Sequence, residues 1–128
     1  MTSDTPVHVL VVDDEVLVAW ALRSILEEAG YRVTVAHDGE QALALQARDP
    51  VDVLLTDLQM PRLDGRGLIR ALRAGHPMVP VIVMTGTPDA SGLAELRGEL
   101  AAATVVMTKP IGPRPVLNAI RDLLGKRS

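Results

Sequence analysis

The sequence predicts an α/β fold in which a five-stranded parallel sheet is covered on both faces by five helices. One observation behind this is the recurrence of short runs rich in Val, Leu and Ile, too brief for helices and too uniformly apolar to leave one side in water. A second is that longer segments with helical periodicity lie between those runs, opened by Asp or Pro and closed by Gly or Pro. A third is the strict alternation of the two kinds of segment with short connections, which favours right-handed crossovers onto a parallel sheet. With 128 residues, 48% hydrophobic and 23% charged, the chain fits a single domain over 1–128, with its core from about 7 to 125.

Val7 to Val12 reads as the first strand, ending abruptly at Asp13-Asp14-Glu15. Glu15 to Ala29 contains neither Pro nor Gly, and Val18, Leu22, Ile25 and Ala29 fall on one helical stripe that Gly30 can close. Val16, Ala19 and Trp20 fall off that stripe, so this helix is apolar on more sides than one packed face requires. Tyr31 to Ala36 is the second strand. Asp38 can cap a helix running to about Arg48, which Asp49-Pro50 stops. Val51 to Thr56 is the third strand, ending in Asp57. After the loop 58–63, Asp64 can cap a third helix that stops near Gly75 and Pro77. Val79 to Met84 is the fourth strand, ending in Thr85. Gly86, Pro88, Gly92 and Gly98 then interrupt the chain, so the fourth helix, between Pro88 and Ala103, is expected to be short or mobile. Thr104 to Thr108 is the fifth strand. Lys109-Pro110 follows, and the fifth helix runs from about Pro113 to Leu124, with proline in the first turn where a missing N–H is harmless. These elements fit a flavodoxin-like three-layer sandwich with strand order 2-1-3-4-5.

Composition narrows the function. The absence of cysteine excludes disulfides and Cys-ligated zinc and suits a reducing compartment, so a cytoplasmic location is expected. The first residues carry no basic segment ahead of an apolar core, and no apolar run approaches the ~18 residues of a membrane span. A formal net charge of -3, with Lys and Arg scattered, gives no surface to draw in nucleic acid. Phe is absent and Trp20 and Tyr31 are the only large aromatics, so aliphatic residues and Met must fill the core.

In an open parallel sheet the functional crevice lies beyond the carboxyl ends of the strands. Four of the five expected ends carry reactive groups: Asp13 and Asp14 after the first, Asp57 at the third, Thr85 at the fourth and Lys109 at the fifth. The second, ending near Ala36, offers none. Two like charges ~4 Å apart repel by roughly 4 kcal/mol at an effective dielectric of ~20, so this acidic rim needs cations. Lys109 supplies one. Oxygen ligands without His or Cys suit a hard divalent ion, with Mg²⁺ the natural occupant. Asp57 could then act as a carboxylate nucleophile that accepts a phosphoryl group as an acyl phosphate, a transfer governed by positioning and charge neutralisation. Lys109 and Mg²⁺ would neutralise the phosphoryl oxygens, and the Thr85 hydroxyl would donate to one of them.

These residues, with Met60-Pro61, Asp64-Gly65 and Lys109-Pro110, make the sequence resemble the receiver domain of response regulators of two-component signalling systems, in its single-domain, chemotaxis-regulator-like form, along essentially the whole chain. The resemblance implies a signalling phosphoacceptor rather than an enzyme in the ordinary sense. It implies that Asp14 and Asp57 ligate Mg²⁺ directly with the backbone carbonyl of Gln59, that Asp13 acts through bound water, and that the Lys109-Pro110 bond is cis. It further implies a histidine kinase or histidine phosphotransfer protein as donor, docking near the first helix beside Val16, Ala19 and Trp20. A homodimer through the face of the fourth and fifth helices is compatible with it, as is a role as a phosphorelay intermediate or phosphate sink. Ending at Gly125-Lys126-Arg127-Ser128, the chain reads as a stand-alone receiver acting through protein contacts or phosphotransfer.

The sequence departs from that family in one telling place. Receivers usually couple the Thr85 hydroxyl to an aromatic ring on the fifth strand, and here that position is Val106. Switching is therefore expected to use the Gly- and Pro-rich segment from Gly86 to Gly98. Ile111 likewise replaces a common aromatic, and Gln59 and Thr87 match positions that tune acyl-phosphate lifetime. A dehalogenase-type phosphatase would need an Asp where Gln59 stands. A flavin-type cofactor binder would not place Asp13-Asp14-Glu15 in its phosphate loop. A pseudo-receiver that only binds partners would lack one of Asp57, Thr85 or Lys109. His8, His37 and His76 read as ordinary surface or turn histidines.

Overall fold

The computed structural model describes residues 6–60, 62–86 and 104–125. The chain runs β1 (His8–Val12), α1 (Val16–Glu28), β2 (Arg32–Ala36), α2 (Gly39–Arg48), β3 (Val53–Asp57), α3 (Gly65–Gly75), β4 (Val81–Thr85), β5 (Thr104–Thr108) and α4 (Pro113–Gly125). All neighbouring strands pair parallel, in the order β2-β1-β3-β4-β5. Fold class and strand order are those the sequence predicts. The helix expected between Pro88 and Ala103 lies outside the described residues, as do Thr87 and most of the segment expected to switch, so α4 here is the fifth helix of the sequence reading.

Successive side chains of a strand point to opposite faces, and both faces are closed. On one, Leu10, Val12, Leu54 and Val83 pack with Ala42 of α2 and with Leu68, Ile69 and Leu72 of α3. On the other, Val9, Val11, Leu55 and Met84 pack with Ala19, Leu22 and Leu26 of α1 and with Val116, Ile120 and Leu123 of α4. Each large aliphatic side chain buried this way contributes about 1.5–3 kcal/mol. β1, β3 and β4 are buried along their whole length, whereas the edge strands β2 and β5 are half-exposed.

The helix starts follow the sequence. The Asp38 side chain accepts from the Gln41 backbone N–H at 2.7 Å, and Asp64 accepts from Gly67 N–H at 2.9 Å. The face of α1 does not. Its fully buried stripe is Ala19, Leu22 and Leu26, with Val18 and Ile25 half-buried and Ala29 exposed. Ala19 therefore belongs to the core and not to an outer patch. A helix carrying apolar residues on several sides leaves the rotation of its buried stripe undetermined until the sheet selects it. Val16, Leu17 and Trp20 are the large apolar residues of α1 left facing outward, at 60%, 79% and 65% exposure.

Candidate functional site

Strand order places the chemistry. The chain leaves β1 toward β2 on one side and returns across the sheet to β3, so the connections after β1 and β3 diverge and leave a crevice between them. In register, Val12 pairs with Thr56, and Asp57 with Met84. Asp13 and Asp57 therefore emerge side by side at the carboxyl edge, with Thr85 beyond them on β4. Above them opens a cleft of ≈ 320 Å³ lined by Asp14, Glu15, Asp57, Gln59, Thr85, Gly86 and Lys109.

One carboxylate oxygen from each of Asp13, Asp14 and Asp57 lies within 4.8 Å of the others. Asp13 has no exposed surface and Asp57 is 7% exposed, whereas Asp14 lies open to solvent. Lys109 reaches in from the end of β5, its Nζ 2.9 Å from Asp13 Oδ2 and 3.2 Å from both Asp57 Oδ2 and Glu15 Oε1. Partial burial alone would lower the Lys109 pKa, but Asp13 and Asp57 outweigh it and hold the ammonium well above its usual range. For Asp57 the balance is opposite. Burial first, then the neighbouring Asp13 charge, push its pKa up, and Lys109 with the Gln59 backbone amide only partly offset them. The site is thus short of positive charge.

The donor set fits a hard divalent cation. All nearby ligand atoms among the clustered residues are carboxylate oxygens. Asp13 Oδ2 is buried and accepts no hydrogen bond, its nearest cation being Lys109. Four carboxylates here share one ammonium, and a divalent ion would correct that imbalance.

The backbone around Asp57 is closely fitted. A Cβ on Gly65 would run into the Asp57 carbonyl oxygen and lie 2.9 Å from Leu58 Cα, so only glycine lets the start of α3 approach β3 this closely. The Gly65 N–H donates to Leu58 O at 2.9 Å. The Lys109-Pro110 peptide bond is cis, as the resemblance implies.

Asp13, Asp14, Asp57, Gln59, Thr85 and Lys109, singled out from the sequence, are all brought to this one rim. Two further residues reach it that sequence reasoning did not assign to it. Glu15 turns toward Lys109. His37, directly after β2, sets Nδ1 3.2 Å from the Asp13 carbonyl oxygen, so the second strand end does contribute to the rim. The signal for Glu15 was its place beside the acidic pair, and for His37 its place one residue past a strand end. His8 is corrected more sharply. It is only 2% exposed, with Nδ1 3.1 Å from Pro50 O and Nε2 2.7 Å from Thr34 Oγ1, held on the covered face of β1 at the end opposite the cleft.

A sequence model described as "Response regulator receiver domain" matches residues 9–121. Response regulator MprA of Mycobacterium ulcerans is 39% identical over 118 residues, which is 92% of this chain and 50% of that protein, so the chain spans about half the length of the curated relatives it matches. Among solved structures, chemotaxis protein CheY4 of Vibrio cholerae superposes with a TM-score of 0.85 at 26% identity, covering 93% of this chain and 99% of that one. The signal receiver domain of an HD domain-containing protein from Pseudomonas fluorescens Pf-5 gives 0.87 at 27% identity, with 94% and 96% covered.

Proposed function

The chain belongs to the response regulator receiver domain family, and on that premise we propose that it accepts a phosphoryl group on Asp57 from a phosphohistidine donor and passes the signal on by a change of conformation. The observation that carries this is one ammonium, Lys109 Nζ, within 3.2 Å of both Asp13 and Asp57 at the mouth of the cleft, with Asp14 in the same carboxylate cluster.

In the transfer, an Asp57 carboxylate oxygen forms a bond to phosphorus while the P–N bond to the donor imidazole breaks, the bonding pair staying on the ring nitrogen. Lys109, 3.2 Å from Asp57 Oδ2, would meet the phosphoryl charge as it arrives. The Thr85 hydroxyl, on the wall of the same cleft, would donate to a phosphoryl oxygen. Asp14, Asp57 and the Gln59 backbone carbonyl would hold Mg²⁺, with Asp13 acting through bound water. When bound, that ion supplies charge neutralisation for the phosphoryl oxygens. The donor would dock over the outward apolar face of α1, where Val16, Leu17 and Trp20 lie exposed a turn or so from the cleft.

Incubation with acetyl phosphate and Mg²⁺ tests the reading. Intact mass should show one added phosphoryl group, labile to hydroxylamine, in the wild type and none in Asp57→Ala. A protein that stays unmodified would leave a partner-binding module in its place, and an Asp57→Ala variant that is modified equally would move the acceptor to another residue. Trp20→Ala should slow transfer from a phosphohistidine protein about tenfold while leaving acetyl phosphate turnover unchanged.

A further inference from the structure

We propose that Glu15 is an exchangeable placeholder on Lys109, its carboxylate occupying the ammonium until a phosphoryl oxygen displaces it. The proposal rests on the phosphoacceptor reading above. An ammonium has three N–H donors and accepts nothing. Three carboxylates surround this one, Asp13 at 2.9 Å and Asp57 and Glu15 at 3.2 Å, and Glu15 is the one aligned to accept a hydrogen bond from it, so a phosphoryl oxygen on Asp57 competes with these carboxylates for the ammonium. Asp13 cannot leave. It is buried, and its other oxygen accepts the Glu15 backbone N–H at 2.8 Å. Asp57 itself carries the incoming group. Glu15 is 63% exposed on a flexible side chain, and ion pairs that exposed hold weakly.

Local geometry supports the same role. Glu15 occupies the capping position of α1, where Asp38 and Asp64 hold the starts of α2 and α3, yet its side chain makes no capping hydrogen bond. It instead accepts from Lys109, 94 residues away in sequence. Glu15 and Lys109 together also line a second cavity of ≈ 420 Å³, an apolar groove walled by Val18, Leu22, Ile25, Met84 and Ile111. Their ion pair lines both that groove and the phosphoacceptor cleft. Displacement of Glu15 would therefore change the rim of the groove when Asp57 is modified, a readout that needs no aromatic ring at Val106.

The test compares wild type, Glu15→Gln and Glu28→Gln, which makes the same charge change at the far end of α1, for phosphorylation by acetyl phosphate with Mg²⁺ followed by intact mass. Glu15→Gln should lower the half-saturating acetyl phosphate concentration by roughly fivefold with little change in maximal rate, and Glu28→Gln should match wild type. In wild type labelled with ¹³C at the glutamate carboxyl, beryllofluoride plus Mg²⁺ should move the Glu15 signal toward that of a solvated glutamate. Equal half-saturation in Glu15→Gln with an unmoved Glu15 signal overturns the placeholder and leaves the phosphoacceptor reading standing. No phosphorylation of any of the three proteins overturns both.

Discussion

At the scale of single residues, the site is a contest between burial and charge at Asp57. Its pKa is raised in the folded protein, so the native state holds that proton more tightly than the unfolded chain does, and metal-free stability falls as pH rises from about 3.8 through the folded value. Asp57→Asn removes this penalty. The variant should be more stable than wild type without metal at pH 7, with a higher urea midpoint, and the gain should vanish below the unfolded value. Equal midpoints across that range would mean Lys109 already neutralises the cluster. His8 makes the opposite case, a buried polar group with its needs met. The Pro50 carbonyl can only accept, so Nδ1 carries the proton and Nε2 accepts from the Thr34 hydroxyl. His8→Ala would leave both partners unserved beside a cavity and should cost about 2–4 kcal/mol in urea unfolding. The burial of His8 was legible in principle, because it shares its strand face with Leu10 and Val12. Its chemistry hid it, since a histidine at a strand start is more often wet.

At the scale of elements, the β3 to α3 connection does the positioning. Gly65 lets the first turn of α3 sit against the backbone of Asp57, and Asp64 caps that turn. Gly65→Ala should force the strand and helix apart, lowering stability by about 1–3 kcal/mol and slowing phosphorylation, while Gly75→Ala, where a Cβ meets nothing within 4 Å, should do neither. Strands and caps were readable because each is written in consecutive residues. The face of α1 was not, since Val16, Leu17, Val18, Ala19 and Trp20 offer several equivalent stripes and only the sheet selects among them. Arg73 was equally hidden. It lies in the buried stripe of α3, its Nη2 donating to Val79 O at 2.9 Å and its Nη1 to Thr104 Oγ1 at 2.9 Å, so it ties α3 to the start of β5. Burial lowers its pKa, and nothing in the periodicity of α3 marks that position as an anchor.

At the scale of the whole molecule, the proposed metal site and the fold support each other. A cation that binds only the assembled rim should stabilise the protein, by about 2.7 kcal/mol at a concentration a hundred times its dissociation constant. Thermal melts with Mg²⁺ against EDTA should show that rise in wild type and lose it in Asp14→Asn and Asp57→Asn. A rise that persists in both variants would place the ion elsewhere. The rim was the most legible feature of the sequence, because parallel topology sends every strand end to one edge and a list of strand-end residues is already a list of neighbours. Glu15 escaped that list by standing three positions past the end of β1, and His37, one past β2, because that strand ends at Ala36 with nothing to offer. The same topology has a practical outcome. Asp57, its acidic neighbours and Lys109 come from β3, β1 and β5, and no sheet that lacks one of these strands, or β4 between the last two, holds all three together. Covalent labelling at Asp57, if it accepts the group as proposed, would therefore tally molecules in which these four strands are joined, and a brief pulse of acetyl phosphate during refolding would time the docking of the last of the four.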